Sequence, residues 1–108
     1  MSVLFLQYPP CTTCKKAKAW LDERGVAYEA RNIKEENPTA EELKAWHEKS
    51  GLPLKKFFNT SGLAYKALGL KDRLPTMSEE EQYQLLASDG MLVKRPLVVG
   101  EDFVLVGF

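Results

Sequence analysis

Cys11 and Cys14 are the two cysteines of the sequence, with Thr12 and Thr13 between them. An apolar run from Val3 to Tyr8 comes just before, and Pro9-Pro10 turns the chain. Behind Cys14, Ala17, Trp20 and Leu21 recur at spacings of three and four, which is helical periodicity. The stretch therefore predicts a strand, a tight turn, a C-x-x-C and a helix. At a helix start the first backbone N–H groups lack intrahelical acceptors and the dipole end is positive. A cysteine placed there is biased towards thiolate, the reactive form. Cys14 lies one turn further on the same face, within reach of a disulfide after a modest adjustment. Lys15, Lys16 and Lys18 add positive charge nearby. Because the chain turns at Cys11, its sulfur is expected to be exposed and that of Cys14 to be shielded. Such a pair suits thiol–disulfide exchange, with Cys11 attacking and Cys14 resolving.

Other uses of the pair fit less well. A structural zinc site needs about four ligands, and the chain offers two cysteines and one distant histidine, His47. A structural disulfide across so short a loop removes little entropy from the unfolded chain. Two inert thiols remain the third alternative. Neither a metal nor a cofactor is expected, and His47 reads as a surface residue.

The elements that must hold this motif belong to one small domain of 108 residues, 44% hydrophobic, with a core that needs no disulfide framework. Fifteen basic residues balance fifteen acidic ones, so nothing in the charge favours direct contact with nucleic acid or a membrane surface. The apolar runs are far too short to span a bilayer. The N-terminus lacks a basic segment followed by an apolar core, so no export signal is expected. Two cysteines in such a chain point to a reducing compartment, the cytoplasm, where disulfides are transient and catalytic.

In chain order, Val3 to Tyr8 predicts a central strand and Val26 to Ile33 a second, with the intervening helix stopped at Gly25. Helices follow. Thr39 with Glu42, and Ser78 with Glu81, fit the S/T-x-x-E capping box. Gly51 and Gly69 are stops, and Leu63 to Leu68 predicts a short helix between them. Trp20 and Trp46 sit at core spacings, and Glu79 to Glu81 read as a solvated helix start. Pro96 opens a strand from Leu97 to Val99, and Gly100-Glu101-Asp102 turns it into a last strand from Phe103 to Val106. The fold expected is α/β and thioredoxin-like. A four-stranded mixed sheet would carry an inserted helical block, residues 39–89, between a βαβ half and a ββ hairpin.

Taken together, these residues resemble the arsenate reductase-like branch of the thioredoxin superfamily, and within it the Spx-like proteins that carry a C-x-x-C. The resemblance rests on the stretch from Tyr8 to Ala17, on Arg31-Asn32-Ile33, on Gly62 to Leu70 and on Lys94-Arg95-Pro96. It implies that Cys11 matches the nucleophile, Arg95 an anion-binding arginine, and Pro96 a cis proline beside the thiol. Pro96 with Thr12, Thr13 and Lys15 makes up the expected substrate-binding set. Two further family arginines fall where this chain has Asn59 or Thr60 and Val106 or Gly107, so weak oxyanion binding is expected. Spx-like regulators continue into a basic, polar extension, whereas this sequence ends at Phe108.

The function expected is a thiol–disulfide oxidoreductase acting on a protein or glutathione disulfide. Cys11 and Cys14 would be the redox pair, Arg95 the catalytic cation, and thioredoxin or glutaredoxin the electron donor. The alternatives are a redox-responsive regulator that binds RNA polymerase, as the Spx resemblance implies, and a glutaredoxin- or thioredoxin-dependent arsenate reductase.

Overall fold

An apolar strand needs partners on both edges and cover on both faces. The computed structural model, which describes residues 2–108, supplies both to β1 (Ser2–Gln7). On one side β1 runs parallel to β2 (Ala27–Asn32), with Ser2 opposite Ala27 and Gln7 opposite Asn32. On the other it pairs antiparallel with β3 (Leu97–Val99), which in turn pairs antiparallel with β4 (Val104–Val106). The order is β2-β1-β3-β4, the mixed sheet expected from the sequence.

Side chains alternate along a strand, so β1 divides the core. Phe5 packs with Ala17 and Leu21 of α1 (Thr12–Glu23). Leu6 faces the opposite way, into a larger cluster with Ile33, Leu43, Phe57 and Leu97. That second cluster is filled by the helical block: α2 (Ala40–Ser50), α3 (Leu63–Ala67), α4 (Leu70–Arg73) and α5 (Glu79–Ser88). Tight 3-10 turns at Leu54–Phe57, Leu74–Thr76 and Gly90–Leu92 punctuate it.

Both capping boxes are present. Thr39 Oγ1 accepts from the Glu42 N–H at 3.1 Å while Glu42 Oε1 accepts from the Thr39 N–H at 3.0 Å. Ser78 and Glu81 do the same at the head of α5. Gly51 closes α2 at φ 69°, the left-handed region that glycine enters without penalty.

Some boundaries differ from the sequence reading. Ile33 leaves β2, donating its N–H to the Gln7 carbonyl at 2.8 Å, and Val26 bonds back to Leu21 at 3.1 Å. Phe103 closes the hairpin and stays out of β4, its carbonyl accepting from the Gly100 N–H at 2.9 Å. Trp20 is not in the core: it is 40% exposed, with the Arg24 guanidinium 4.1 Å above its ring. The stripe that α1 buries is Cys14, Ala17 and Leu21, and Trp20 lies at its margin. Trp46 is buried, as its spacing implied. His47 is half-buried rather than at the surface, its Nδ1 2.6 Å from the Tyr83 hydroxyl.

Among the described residues, no helix is long and apolar enough to cross a membrane.

Candidate active site

The turn between β1 and α1 is fixed by the backbone. The Cys11 N–H donates to the Tyr8 carbonyl at 2.9 Å, and the Cys11 carbonyl accepts from Lys15 at 3.1 Å. Cys11 is thus the N-cap residue, with extended dihedrals (φ −75°, ψ 122°), and no side-chain oxygen occupies the first-turn donors. Those donors are left to sulfur. Cys14, one turn inside, is fully buried, and its Sγ accepts from the Tyr8 N–H at 3.4 Å.

Both cysteines are free thiols, and their acidities are driven apart. Burial opposes ionisation of Cys11. The Cys14 N–H, the Cys14 thiol, the Thr13 N–H and the charge of Arg95 together outweigh it, and the Cys11 pKa lies below the ordinary thiol value. Burial wins at Cys14. A hydrogen bond to Cys11 and the proximity of its charge add to it, the Tyr8 N–H and Arg95 oppose it, and its pKa is pushed up to about 11. The two sulfurs are thus driven apart in acidity, Cys11 being the more readily ionised.

The cation comes from the far end of the chain. The 3-10 turn Leu54–Phe57 and the segment before β3 are joined by an antiparallel bridge between Phe58 and Val93, and by the Lys94 N–H donating to the Phe57 carbonyl at 2.7 Å. Beyond them the Arg95–Pro96 peptide bond is cis, as the resemblance implied, and the Pro96 carbonyl accepts from the Gly107 N–H at 2.8 Å. The Arg95 guanidinium carbon lies 5.1 Å from the centre of the Tyr8 ring, and its charge acts on both thiols. Its Nε and Nη1 are buried without a hydrogen-bond partner. Buried donors on a cation carry a desolvation cost unless an acceptor meets them, so this guanidinium is suited to an anionic group.

These residues open on a cleft of about 1030 Å³. Cys11, Thr13 and Arg95 line it, together with Asn59, Val106 and Gly107. The last three include the positions where the resemblance would put two further arginines. The cleft therefore holds one guanidinium, partly buried, and the ammonium of Lys94.

The other sequence candidates divide. Thr13 lines the cleft, and Pro96 is buried beneath Arg95 in sequence. Thr12 and Lys15 are exposed on α1 and are not part of the lining. The lysine-rich turn contributes less than expected: Lys18 is engaged by Asp22 at 2.9 Å, and the charge acting on Cys11 is that of Arg95. Sequence reasoning passed over Tyr8 as a site residue, although it supplies both an N–H to Cys14 and an aromatic face to Arg95. Its place immediately before the prolines was the available signal. It also passed over the apolar wall of Leu63, Met91 and Phe108. Among the described residues no group of three or more His, Cys, Asp or Glu is placed to hold a metal ion.

Residues 6–108 match the ArsC family. The chain belongs to that family. It is 58% identical, over its whole length and 92% of the relative, to the uncharacterized protein YusI of Bacillus subtilis. It is 32% identical to the global transcriptional regulator Spx of Staphylococcus saprophyticus, over 93% of this chain and 75% of Spx. Among solved structures, a protein described as ArsC family related from Bacteroides fragilis is 66% identical. It superposes with a TM-score of 0.97 over 100% of this chain and 91% of that one. The arsenate reductase from Vibrio cholerae is 28% identical, with a TM-score of 0.87 over 96% and 87% of the two chains. The thioredoxin-like α/β architecture of the ArsC family is thus the architecture of this chain.

Proposed function

We propose that this ArsC-family chain is a thiol–disulfide oxidoreductase with Cys11 and Cys14 as its redox pair. The observation that carries the reading is the placement of the two sulfurs one turn apart at a helix start, Cys11 lining a cleft with Arg95 and Cys14 fully buried behind it, and their opposed acidity supports it. The Cys11 thiolate attacks one sulfur of a substrate disulfide. That bond breaks, the first substrate sulfur leaves as thiolate and takes a proton from solvent, and a Cys11–substrate mixed disulfide remains. Cys14 then gives up its proton and attacks Cys11 Sγ. The Cys11–Cys14 bond closes and the second substrate sulfur leaves. Two electrons pass from the dithiol to the substrate. A dithiol donor of the thioredoxin class, or glutathione with glutaredoxin, returns the pair to the reduced form. Arg95 stabilises the attacking thiolate and holds an anionic group of the substrate, while Thr13 lines the cleft with Cys11 and Pro96 takes the substrate-binding role that the family resemblance implies. Because a buried Cys14 cannot meet a large substrate directly, the order of attack follows from burial.

The test is mixed-disulfide trapping. Cys14→Ser is expected to accumulate adducts through Cys11 on exposure to a protein or glutathione disulfide, visible on non-reducing electrophoresis. Cys11→Ser is expected to trap almost nothing. A Cys11→Ser variant that traps as well as Cys14→Ser would overturn the assigned order.

The 32% identity to Spx supports a second reading, a redox-responsive regulator that binds RNA polymerase without turnover. Redox-dependent pull-down of polymerase, with no multiple-turnover disulfide reduction in the presence of thioredoxin, would favour it. Arsenate reduction is supported less well, since the cleft has a single guanidinium.

A further inference from the structure

The active cleft does not end at Lys94. A second groove of about 410 Å³ begins there, lined by Pro53, Lys55, Lys56, Phe58, Thr60 and Lys94. The two share Lys94, and Asn59 of the first lies between Phe58 and Thr60 of the second. The Phe58–Val93 bridge and the Lys94-to-Phe57 hydrogen bond lock both walls into one surface.

Its charge is one-sided in a chain whose net charge is zero. Arg95 and Lys94 line the first groove, and Lys94, Lys55 and Lys56 the second. The ion pairs among the described residues, Lys18–Asp22 and Arg31–Glu42, involve none of them. Asp89 is the one acidic residue lining either groove, and its carboxylate already accepts from the Met91 N–H at 2.8 Å. The first groove also has apolar lining, where Leu63 is 86% and Phe108 65% exposed. Its volume of about 1030 Å³ is already at the upper end for compact ligands, and the second groove adds about 410 Å³.

We infer that this continuous strip is the docking surface for an acidic, extended polypeptide segment that carries the substrate's cysteine. An apolar residue would lie beside that cysteine against Leu63, and acidic residues would follow on one side along Lys94, Lys55 and Lys56. The inference deepens the oxidoreductase reading and rests on it for the chemistry, but the docking itself needs no electron transfer. It makes Lys55 and Lys56 specificity determinants that lie outside the catalytic machinery.

The experiment separates the two. Fluorescein-labelled synthetic peptides carry one serine in place of the cysteine, flanked by glutamates, glutamines or lysines, and anisotropy reads their binding to the whole reduced chain. The glutamate peptide is expected to bind about tenfold tighter than the glutamine peptide at low salt, with the gap closing above a few hundred millimolar salt. Lys55→Glu with Lys56→Glu should erase that preference, and Lys55→Gln with Lys56→Gln should reduce it. Both side chains are exposed, so the variants are expected to fold, and circular dichroism checks this. Equal affinity for glutamate and glutamine peptides, or wild-type binding by the charge-reversed variant, overturns the surface. The same peptides bearing cysteine as a mixed disulfide are then reduced in single turnover. Charge-dependent docking with no reduction keeps the surface and removes the oxidoreductase reading. Reduction at one rate for all flanks, with no charge-dependent docking, does the reverse.

Discussion

Cys11 and Cys14 differ because three residues separate an N-cap from a first-turn interior. At the N-cap the sulfur meets the N–H groups of Thr13 and Cys14 and the field of Arg95. One turn in, the sulfur of Cys14 is fully buried and accepts only the Tyr8 N–H, and burial outweighs the rest. Iodoacetamide at neutral pH should therefore modify Cys11 first, with its rate inflection below the ordinary thiol value of about 8.5, and Cys14 slowly. Replacing Arg95 with Met should move that inflection upward. It should not unfold the protein, since the buried Nε and Nη1 have no partner to lose. A loss of cooperative unfolding in Arg95→Met would show that the guanidinium is structural. The raised Cys14 pKa has a second consequence. Unfolded, this thiol ionises near its ordinary value, and folded it ionises at about 11. Its contribution to stability is therefore complete below the ordinary value and is lost as pH rises through about 11. Urea midpoints at pH 8 and pH 10.5 should fall less steeply in Cys14→Ala than in wild type, and identical slopes would contradict the burial argument.

At the level of elements, what the sequence makes legible is what has a local cause. The capping boxes at Thr39 and Ser78 were readable because two residues, three positions apart, carry the whole signal, and both boxes are present. Thr39→Ala should lower stability by about 1 kcal/mol in urea titration. β2 starts one residue later than expected because Val26 bonds back to Leu21, and it stops at Asn32 because β1 ends opposite it at Gln7, to which the Ile33 N–H still donates. Trp20 misled because helical spacing alone does not mark where a buried stripe ends. α4 and the 3-10 turns are too short for any periodicity. One of those turns is nevertheless demanding. A Cβ at Gly90 would collide with the backbone carbonyl of Ile33, so Gly90→Ala should destabilise by several kcal/mol, well beyond the loss at Thr39. An alanine variant as stable as wild type would mean that the turn shifts freely, and the route from α5 to Lys94 and Arg95 with it.

Across the whole molecule, no spacing rule joins Cys11 to an arginine eighty-four positions later. That pairing was legible through the family resemblance alone, because it is made by strand order. β3 lies beside β1, so the residues leading into β3 arrive where β1 ends. The same order brings Asn59, Val106 and Gly107 to the cleft, and none of them is cationic. Arsenate titration followed by amide shifts around Cys11 should accordingly give weak, millimolar-range binding, as expected for one cation partly screened by solvent. Saturable shifts at micromolar arsenate would mean that other residues, Lys94 first among them, complete an oxyanion site.

A cleft gathered from such distant stretches also sets a schedule. During synthesis, Cys11 and Cys14 emerge long before Arg95, and before the β3–β4 hairpin that seats Pro96 through Gly107. A helix as short as α1 is marginal by itself in water, so the growing chain offers its first cysteine neither ordered N–H groups nor a facing cation. Its sulfur is expected to behave as an ordinary thiol until β3 and β4 have been made and have joined β1. Reactivity is thereby tied to the closing of the sheet.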